Sequence, residues 1–222
     1  MAAIRAAVFD AYGTLLDVHA AVGRHAAHLG ERAAGVSALW RAKQLEYSWI
    51  LSQAGTYEDF WSLTDRALGH ALAVHGVADP TLHAMLLSAY RRLEAFPDAA
   101  PALAALREAG LATAILSNGE PGMLADAVAA AGLAPLLDEV LSVDPLRRYK
   151  PHPAVYALVT ARFRCQPHEI AFVSSNAWDA YGAARFGFRV HWLNRGGQPV
   201  EYWLDTLAVP LPALAELPAR LR

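Results

Sequence analysis

The sequence predicts an α/β fold: a doubly wound, Rossmann-like parallel sheet with a helical cap inserted after the first strand. Three observations support this prediction. Short apolar runs each lead into polar residues, helical patterns separate most of these runs, and one long helical stretch interrupts the alternation. Strands buried on both faces of a parallel sheet have this continuous apolar character. Strands that alternate with helices indicate a doubly wound sheet.

The predicted strands place a candidate site at one edge of the sheet. The clear apolar runs cover residues 6–9, 111–116, 139–143, 170–173 and 188–193. A short last strand is expected at residues 205–209. Ligands of such sheets bind beyond the carboxyl ends of the strands. Asp10, Ser117, Asn118 and Ser174 follow directly after three of the runs, so we expect them to lie together at that edge.

The predicted helices divide the chain into a core and a cap. Core helices are expected at residues 99–110, 122–131, 153–163, 177–186 and 211–221. Residues 18–96 contain aromatic residues near helical spacing and predict consecutive amphipathic helices. Pro97 marks the return to the core, since proline resists helix continuation. We therefore predict a core of residues 1–17 and 97–222 and a cap of residues 18–96.

The amino-acid composition excludes several classes of function. Of 222 residues, 55% are hydrophobic, which supports a large core, and the net charge of −2 does not favour nucleic-acid binding. The single cysteine, Cys165, excludes an intramolecular disulfide and is interpreted as a small buried core residue. No signal sequence and no apolar stretch of about 20 residues is recognisable. A cytoplasmic protein without a membrane partner is expected.

Asp10 is the candidate nucleophile. It ends a buried strand and precedes a Gly-Thr turn, where a carboxylate can be exposed to substrate. Tyr12 lies two residues later. Metal-dependent phosphoryl-transfer enzymes that have an aspartate at the end of such a strand carry a second aspartate at this position. An aromatic ring cannot protonate a leaving phosphate ester, so attack on carbon is favoured. The alternative is that Asp10 is a turn or cap residue.

The acidic residues are too few for a good cation site. A Mg²⁺ site needs several oxygen ligands and usually more than one carboxylate. Tyr12 follows the nucleophile, and Ser174 opens the fourth-strand loop where phosphatases place acids, which leaves Asp10 and Asp179. We predict no metal and no cofactor, with the positive charge supplied by lysine and arginine.

Five short sequence motifs, taken in their order along the chain, indicate a protein family. They are Asp10-Ala-Tyr-Gly-Thr14, Arg41 with Lys43-Gln-Leu-Glu-Tyr47, Ser117-Asn-Gly119, Lys150-Pro151 and Ser174-Ser-Asn-Ala-Trp-Asp179. Together with a helical insert after the first strand, they resemble the haloacid dehalogenase superfamily over nearly the whole chain. Within it they look like the L-2-haloacid dehalogenases, the metal-free hydrolytic branch.

The resemblance implies a two-step reaction. Asp10 would attack C2 of a short 2-haloacid, displace halide with inversion and form an ester. Lys150 would keep the carboxylate ionised, and Thr14 with Ser174 or Ser175 would donate hydrogen bonds that aim it. A surface lysine is the alternative for Lys150.

The second step is hydrolysis of the ester. Asp179, assisted by Asn176 or Lys150, would orient or deprotonate the water, and the backbone N–H groups of residues 11–14 would stabilise the oxyanion. The alternative for Asp179 is a first-turn residue favoured by the helix dipole, and the two interpretations are compatible with each other. Tyr156 would hydrogen-bond within this network or be purely structural.

The resemblance also implies a substrate pocket. Arg41, Asn118 and the edge of Trp178 would cradle the halide, while a surface arginine paired with Glu46 is the alternative for Arg41. The substrate carboxylate would bind Ser117, Lys150 and the N–H groups after Asp10, beginning with that of Ala11. The alkyl group would be walled by Tyr12, Leu45, Phe60 and Trp178, which could instead be core residues.

The expected activity is hydrolysis of short-chain L-2-haloalkanoic acids to D-2-hydroxy acids, with the haloacid and halide as small-molecule partners, by a homodimer. The alternatives are a phosphatase of the same superfamily, a dehalogenase that also acts on fluoroacetate, and a non-catalytic binding protein on the same scaffold. Dependence on Mg²⁺ would favour the phosphatase, and turnover by an Asp10→Asn variant would exclude the nucleophile.

Overall fold

A wholly parallel sheet of six strands forms the centre of the computed structural model, which describes residues 3–221. The strand order is β3-β2-β1-β4-β5-β6. The strands are β1 (Ala6–Phe9), β2 (Ala112–Ser117), β3 (Glu139–Ser142), β4 (Ile170–Ser174), β5 (Arg189–Leu193) and β6 (Ala208–Leu211). The predicted doubly wound α/β class is confirmed, and the five clear strands agree with the apolar runs to within about one residue.

The order of the strands reverses beside β1. Val8 pairs with Ala114 of β2 on one side and with Phe172 of β4 on the other. In open parallel sheets the connections diverge at such a point and leave a crevice outside the carboxyl ends of the strands. Asp10, directly after β1, and Ser174, at the end of β4, therefore face this crevice.

The core helices cover the sheet and place loop residues at its carboxyl edge. They are α6 (Ala99–Glu108), α7 (Pro121–Ala130), α8 (Pro153–Phe163) and α9 (Ala177–Phe186). α7 and α8 each begin with proline, whose fixed φ suits the first helical position. The Glu120 side chain caps α7 by accepting from the N–H groups of Gly122 and Met123. Local sequence signals therefore fix where these helices begin.

The helical cap leaves the core after β1. Its helices are α1 (Ala20–Gly23), α2 (Ala26–Leu29), α3 (Ala33–Ala54), α4 (Phe60–Val74) and α5 (Pro80–Tyr90). α3 is held to α4 by the buried Trp40 indole N–H, which donates to Thr64 O at 2.8 Å. The two connections to the core lie side by side, since Phe96 N–H donates to Leu15 O at 2.9 Å. We infer that residues 18–96 form the cap.

The last 20 described residues differ from the prediction. Residues 204–207 form a short helix, α10 (Leu204–Leu207), and the strand expected at 205–209 is β6, which starts at Ala208 and pairs with β5. The closing helix expected at 211–221 is a 3-10 turn followed by α11 (Leu217–Arg220). Pro212 and Pro218 break its helical hydrogen bonding. Cys165 is half-buried at the core boundary rather than buried.

The described part of the chain contains no helix that is both long and apolar enough to cross a membrane.

Candidate active site

The Asp10 carboxylate lies at the carboxyl end of β1 and is held by three side chains. Lys150 Nζ is 3.0 Å from Oδ1. Thr14 Oγ1 and Asn176 Nδ2 donate to Oδ2 at 3.1 and 2.7 Å. Gly13 has a φ of +89°, a left-handed conformation that only glycine adopts without strain. This turn brings the Thr14 hydroxyl back onto the carboxylate.

Lys150 joins two buried carboxylates. Its ammonium contacts Asp10 Oδ1 at 3.0 Å and Asp179 Oδ2 at 2.8 Å, and the side chain is 1% exposed. Burial by itself lowers the pKa of Lys150, but the charges of Asp10 and Asp179 outweigh burial and raise it above its ordinary value. Lys150 is therefore charged at neutral pH, and the interpretation as a surface lysine is wrong.

Asp179 lies in the first turn of α9 and is fully buried. Its Oδ2 accepts from Lys150, and its Oδ1 accepts from the Tyr156 hydroxyl at 2.8 Å. Burial raises the pKa of Asp179 to about 6, while Lys150 opposes the rise. Tyr156 is buried too, so its pKa is well above the usual value and its hydroxyl stays protonated. The carboxyl group therefore titrates near neutral pH, in the range useful to a general base.

The loop after β4 brings Asn176 to the Asp10 carboxylate. Asn176 occupies the N-cap position of α9 but makes no side-chain capping bond. Its amide instead donates to Asp10 and, at 3.1 Å, to Tyr12 O. A residue type that normally caps a helix is thus available to hold the carboxylate.

The serines of the same loop support Thr14 rather than Asp10. Ser175 N–H donates to Thr14 Oγ1 at 2.9 Å, and Ser175 Oγ donates to Gly13 O at 2.7 Å. Ser174 Oγ donates to Asn176 O and accepts from the Asn176 N–H within the loop. The expectation that Ser174 or Ser175 donates directly to Asp10 is wrong, because both hydroxyls are used by backbone groups of the two loops.

The backbone amides after Asp10 also differ in part from the prediction. Gly13 N–H donates to Leu16 O at 2.7 Å, and Thr14 N–H donates to Ala11 O at 3.2 Å. These two groups close the turn and do not point to an oxyanion. Ala11 and Tyr12 carry the remaining candidate amides of residues 11–14.

Arg41 reaches from cap helix α3 into the crevice. Its guanidinium donates to Tyr12 O at 3.2 Å and lies 3.5 Å from Asn176 Oδ1. Glu46 is paired with Lys43 instead. Gln44, one turn along α3, accepts from Arg41 at 2.8 Å. The pairing of Arg41 with Glu46 is therefore wrong, and the guanidinium points to the loop that follows Asp10.

Aromatic side chains form one wall of the site. The Tyr12 ring stacks on Tyr90 with centroids 5.6 Å apart and lies 6.3 Å from the Phe60 ring. Both Tyr12 and Phe60 are buried, while Leu45 on α3 is half-buried. The Tyr12 hydroxyl has no hydrogen-bond partner among the described residues. This side of the site is therefore apolar with one unpaired hydroxyl.

The second-strand loop and Trp178 complete the surroundings. Ser117 Oγ accepts from Gly119 N–H at 3.1 Å, and Asn118 Oδ1 accepts from Lys150 N–H at 3.0 Å. Trp178 meets Trp49 of the cap edge to face, with ring centroids 5.3 Å apart. These two indoles line a groove of about 660 Å³ that reaches Lys150. The structure thus brings Asp10, Thr14, Arg41, Lys150, Asn176 and Asp179 together around the crevice, with Trp178 at its rim.

The residues that could hold a cation are sparse. Within residues 3–221, no three His, Cys, Asp or Glu side chains are placed to share a metal ion. Asp10 and Asp179 are separated by the Lys150 ammonium, which occupies the position between the two carboxylates. Metal independence itself stays a prediction.

Two supporting residues were not predicted from the sequence. Gln44 is fully buried, accepts from Tyr90 as well as Arg41, and donates to Thr64 at 2.6 Å. Its spacing from Trp40 was a usable signal, since i and i+4 share a helix face. Gly182 in α9 leaves no room for a side chain, because an added Cβ would lie 2.5 Å from the Tyr156 hydroxyl. Only the tertiary packing shows that requirement.

Comparison with known proteins gives consistent matches. The model of the haloacid dehalogenase-like hydrolase family matches residues 4–187. (S)-2-haloacid dehalogenase 1 of Pseudomonas sp. (strain CBS-3) is 49% identical over 219 residues, 98% of this chain and 96% of that protein. (S)-2-haloacid dehalogenase 4A of Burkholderia cepacia is 49% identical over 215 residues, with 96% and 93% covered. The solved L-2-haloacid dehalogenase from Xanthobacter autotrophicus with chloropropionic acid covalently bound has a TM-score of 0.91 at 40% identity, with 99% and 98% covered.

Proposed function

The chain belongs to the haloacid dehalogenase-like hydrolases and, within them, to the (S)-2-haloacid dehalogenases, and from this premise we propose how it cleaves a carbon–halogen bond. The substrates are short-chain L-2-haloalkanoic acids, and the products are halide and the D-2-hydroxy acid. One observation carries the proposal: a buried lysine holds the strand-end carboxylate of Asp10 together with that of Asp179. This arrangement places the positive charge of Lys150 against both carboxylates in a buried crevice.

In the first step Asp10 attacks C2 and the halide leaves in line, so the configuration at carbon inverts. Oδ2 already accepts two hydrogen bonds, from Thr14 and Asn176, whereas among residues 3–221 only Lys150 donates to Oδ1. Oδ1 therefore retains a lone pair for attack. The departing halide is stabilised by Arg41, which supplies positive charge at the apolar wall of the crevice.

In the second step water attacks the carbonyl carbon of the Asp10 ester, and the bond between that carbon and the ester oxygen breaks. With Oδ1 in the ester, Oδ2 becomes the oxyanion and keeps its donors, Thr14 and Asn176. Asp179 accepts one proton of the water, since the pKa of its carboxyl is about 6, and passes it to the product oxygen as that oxygen leaves Asp10. The other proton of the water is released to solvent when Asp10 returns to a carboxylate. Lys150 stays hydrogen-bonded to both Asp179 and the ester oxygen and so keeps them close together.

The substrate carboxylate binds beside Ser117, Lys150 and the amide of Ala11, and the alkyl group packs against Tyr12, Leu45 and Phe60. The site works without a metal or a cofactor in this proposal, and the protein acts as a cytoplasmic homodimer. Sedimentation equilibrium tests the dimer, and activity retained in EDTA tests the absence of a metal.

Isotope labelling under single turnover tests the nucleophile. Excess enzyme and L-2-chloropropionate are mixed in H₂¹⁸O. The first turnover is expected to give D-lactate without ¹⁸O, while the peptide that contains Asp10 gains one ¹⁸O atom. Label in the first lactate would mean direct attack by water and would contradict the ester. D-2-chloropropionate is the matched control, and release of halide from it at the same rate would contradict the stereochemistry.

The variant Asp10→Asn completes the test. It is expected to lose turnover at least 10³-fold while still unfolding cooperatively, because an amide side chain cannot form the ester with the reacting carbon. Parental turnover by this variant would exclude Asp10 as the nucleophile.

A further inference from the structure

A cluster of contacts joins the cap to the loop that carries Lys150. Tyr57 lies in the cap loop between α3 and α4, and its hydroxyl donates to Asp144 Oδ1 at 2.5 Å. Its ring stacks on Tyr149, with centroids 5.3 Å apart and planes at 24°. The Arg147 guanidinium covers the same ring at 4.7 Å. One cap side chain thus contacts three residues of the core segment 144–149.

The same segment is tied to the cap by Tyr149 itself. The buried Tyr149 hydroxyl donates to Glu58 O at 2.5 Å. Its backbone N–H donates to Ser52 Oγ on α3 at 3.0 Å. Tyr149 directly precedes Lys150, so the backbone that presents the lysine is fixed on the cap side by these bonds and on the core side by Asn118.

The geometry points to a positioning role for Tyr57. Its hydrogen bond to Asp144 and its stacking on Tyr149 are here called the clasp. With the cap over the site, the clasp holds the Lys150 ammonium within hydrogen-bond distance of both Asp10 and Asp179. The inference rests on the proposed function, because it concerns the lysine of that reaction. Tyr57 does not touch the reacting groups and acts only through the segment 144–149.

A physical reason makes such a clasp useful. Lys150 must satisfy two carboxylates at 3.0 and 2.8 Å at once, and a long flexible side chain holds two short distances only if its backbone is fixed. The cap also delivers Arg41 to the crevice. Linking the cap to the Lys150 backbone therefore assembles both positive charges together.

Kinetics of two variants test the clasp. Tyr57→Phe removes the hydroxyl and keeps the ring, and Asp144→Ala removes the acceptor. Both are expected to lower kcat about tenfold, the scale of a displacement below 1 Å, with KM changed less than about twofold. Asp144→Asn keeps an acceptor oxygen and is expected to restore kcat.

The pH profile separates positioning from general loosening. The groups that face Asp179 are Lys150, Tyr156 and Asp10, with Arg41 across the crevice. A less well-placed Lys150 lowers the pKa of Asp179 less, so the acid limb of kcat is expected at higher pH in Tyr57→Phe. Asp126→Asn is the matched control: it removes the negative charge from the Arg91–Asp126 ion pair between cap and core, which lies outside the segment. Its acid limb is expected to match that of the parent.

Lysine labelling provides a readout that needs no turnover. The sequence contains two lysines, Lys43 and Lys150, and Lys43 is the more exposed. With an amine-specific reagent and peptide mapping, the labelling of Lys150 relative to Lys43 is expected to rise several-fold in Tyr57→Phe. The inference would be overturned if Tyr57→Phe had the kcat, the acid limb and the Lys150 labelling of the parent. It would also be overturned if Asp126→Asn lost as much kcat as Tyr57→Phe. A parent enzyme inactive on haloacids would contradict the proposed function and leave the labelling to decide the clasp.

Discussion

Replacing Lys150 by methionine is the most informative single perturbation of this protein. The change keeps a long apolar side chain and removes the charge between Asp10 and Asp179. Each carboxylate lies about one hydrogen-bond length from the ammonium, at 3.0 and 2.8 Å. At an effective dielectric constant near 20, each contact corresponds to about 6 kcal/mol of Coulomb energy. The desolvation of three buried charges opposes most of it.

The expected net loss of unfolding free energy at pH 8 is about 3–5 kcal/mol, the range for removing one partner of a buried ion pair. The loss should depend on pH. Burial already raises the pKa of Asp179 to about 6, and Lys150 holds it down. Without the lysine this pKa rises further, so the folded variant takes up a proton above pH 6, where the parent does not.

Proton linkage determines whether the loss of unfolding free energy grows or shrinks as the pH falls. A folded-state pKa above the unfolded value means that the folded state binds the proton more tightly, so stability is gained as pH falls through the folded pKa. One proton corresponds to about 1.4 kcal/mol per pH unit. Between pH 8 and pH 6 the deficit of Lys150→Met should therefore shrink by up to about 2–3 kcal/mol.

Urea unfolding of parent and variant at pH 8, 7 and 6 measures this difference. Lys43→Met is the matched control, since Lys43 pairs with Glu46 at the surface and its replacement should leave the midpoint unchanged. A deficit that is absent at pH 8, or equal at all three values, would refute the idea that the charge of Lys150 stabilises both carboxylates.

Three further predictions concern the groups behind the nucleophile. The kcat of the parent should fall below an apparent pKa of about 6, because a protonated Asp179 cannot accept a proton; a flat profile from pH 5 to 7 would contradict this assignment. Tyr156→Phe removes the donor to Asp179 Oδ1 and should move the same limb to higher pH with an unchanged KM. Gly182→Ala should destabilise by about 1–3 kcal/mol, because its Cβ would lie 2.5 Å from the Tyr156 hydroxyl and 2.6 Å from Pro151 Cβ. Gly69→Ala, in a helix with open space around it, is its control and should stabilise slightly in the same urea assay.

The charge balance explains why one lysine is central. Asp10 and Asp179 bring two negative charges into a crevice where burial disfavours both. Lys150 offsets one of them, and the raised pKa of Asp179 shows that the compensation is incomplete. The site therefore holds the Asp10 carboxylate beside the Asp179 carboxyl group, whose pKa is about 6. In the proposed reaction Asp10 attacks carbon, and Asp179 accepts a proton in the hydrolytic step.

Much of the fold could be predicted because its signals are local. Buried parallel strands are written as continuous apolar runs, and α8 and α9 match their predicted bounds, helped by Pro153 and by Asn176 just before the helix. The prediction for the C-terminal segment was wrong for a physical reason. Residues 204–207 are apolar enough for a strand, yet the ladder with β5 starts only at Ala208, and pairing with a neighbour is not encoded locally.

The sequence by itself determined the sheet, the place of the site at the carboxyl end of β1, and the residue types gathered there, because each depends on short-range patterns and on strand ends meeting at one edge. Only the tertiary structure decided which of these groups touch. It assigned Asn176 and Thr14 to Asp10, kept Ser174 within its own loop, and placed Lys150 between two acids far apart in sequence. Those contacts depend on how the cap and the strand-end loops pack in three dimensions, and residues distant along the chain carry no local sign of the distance between them.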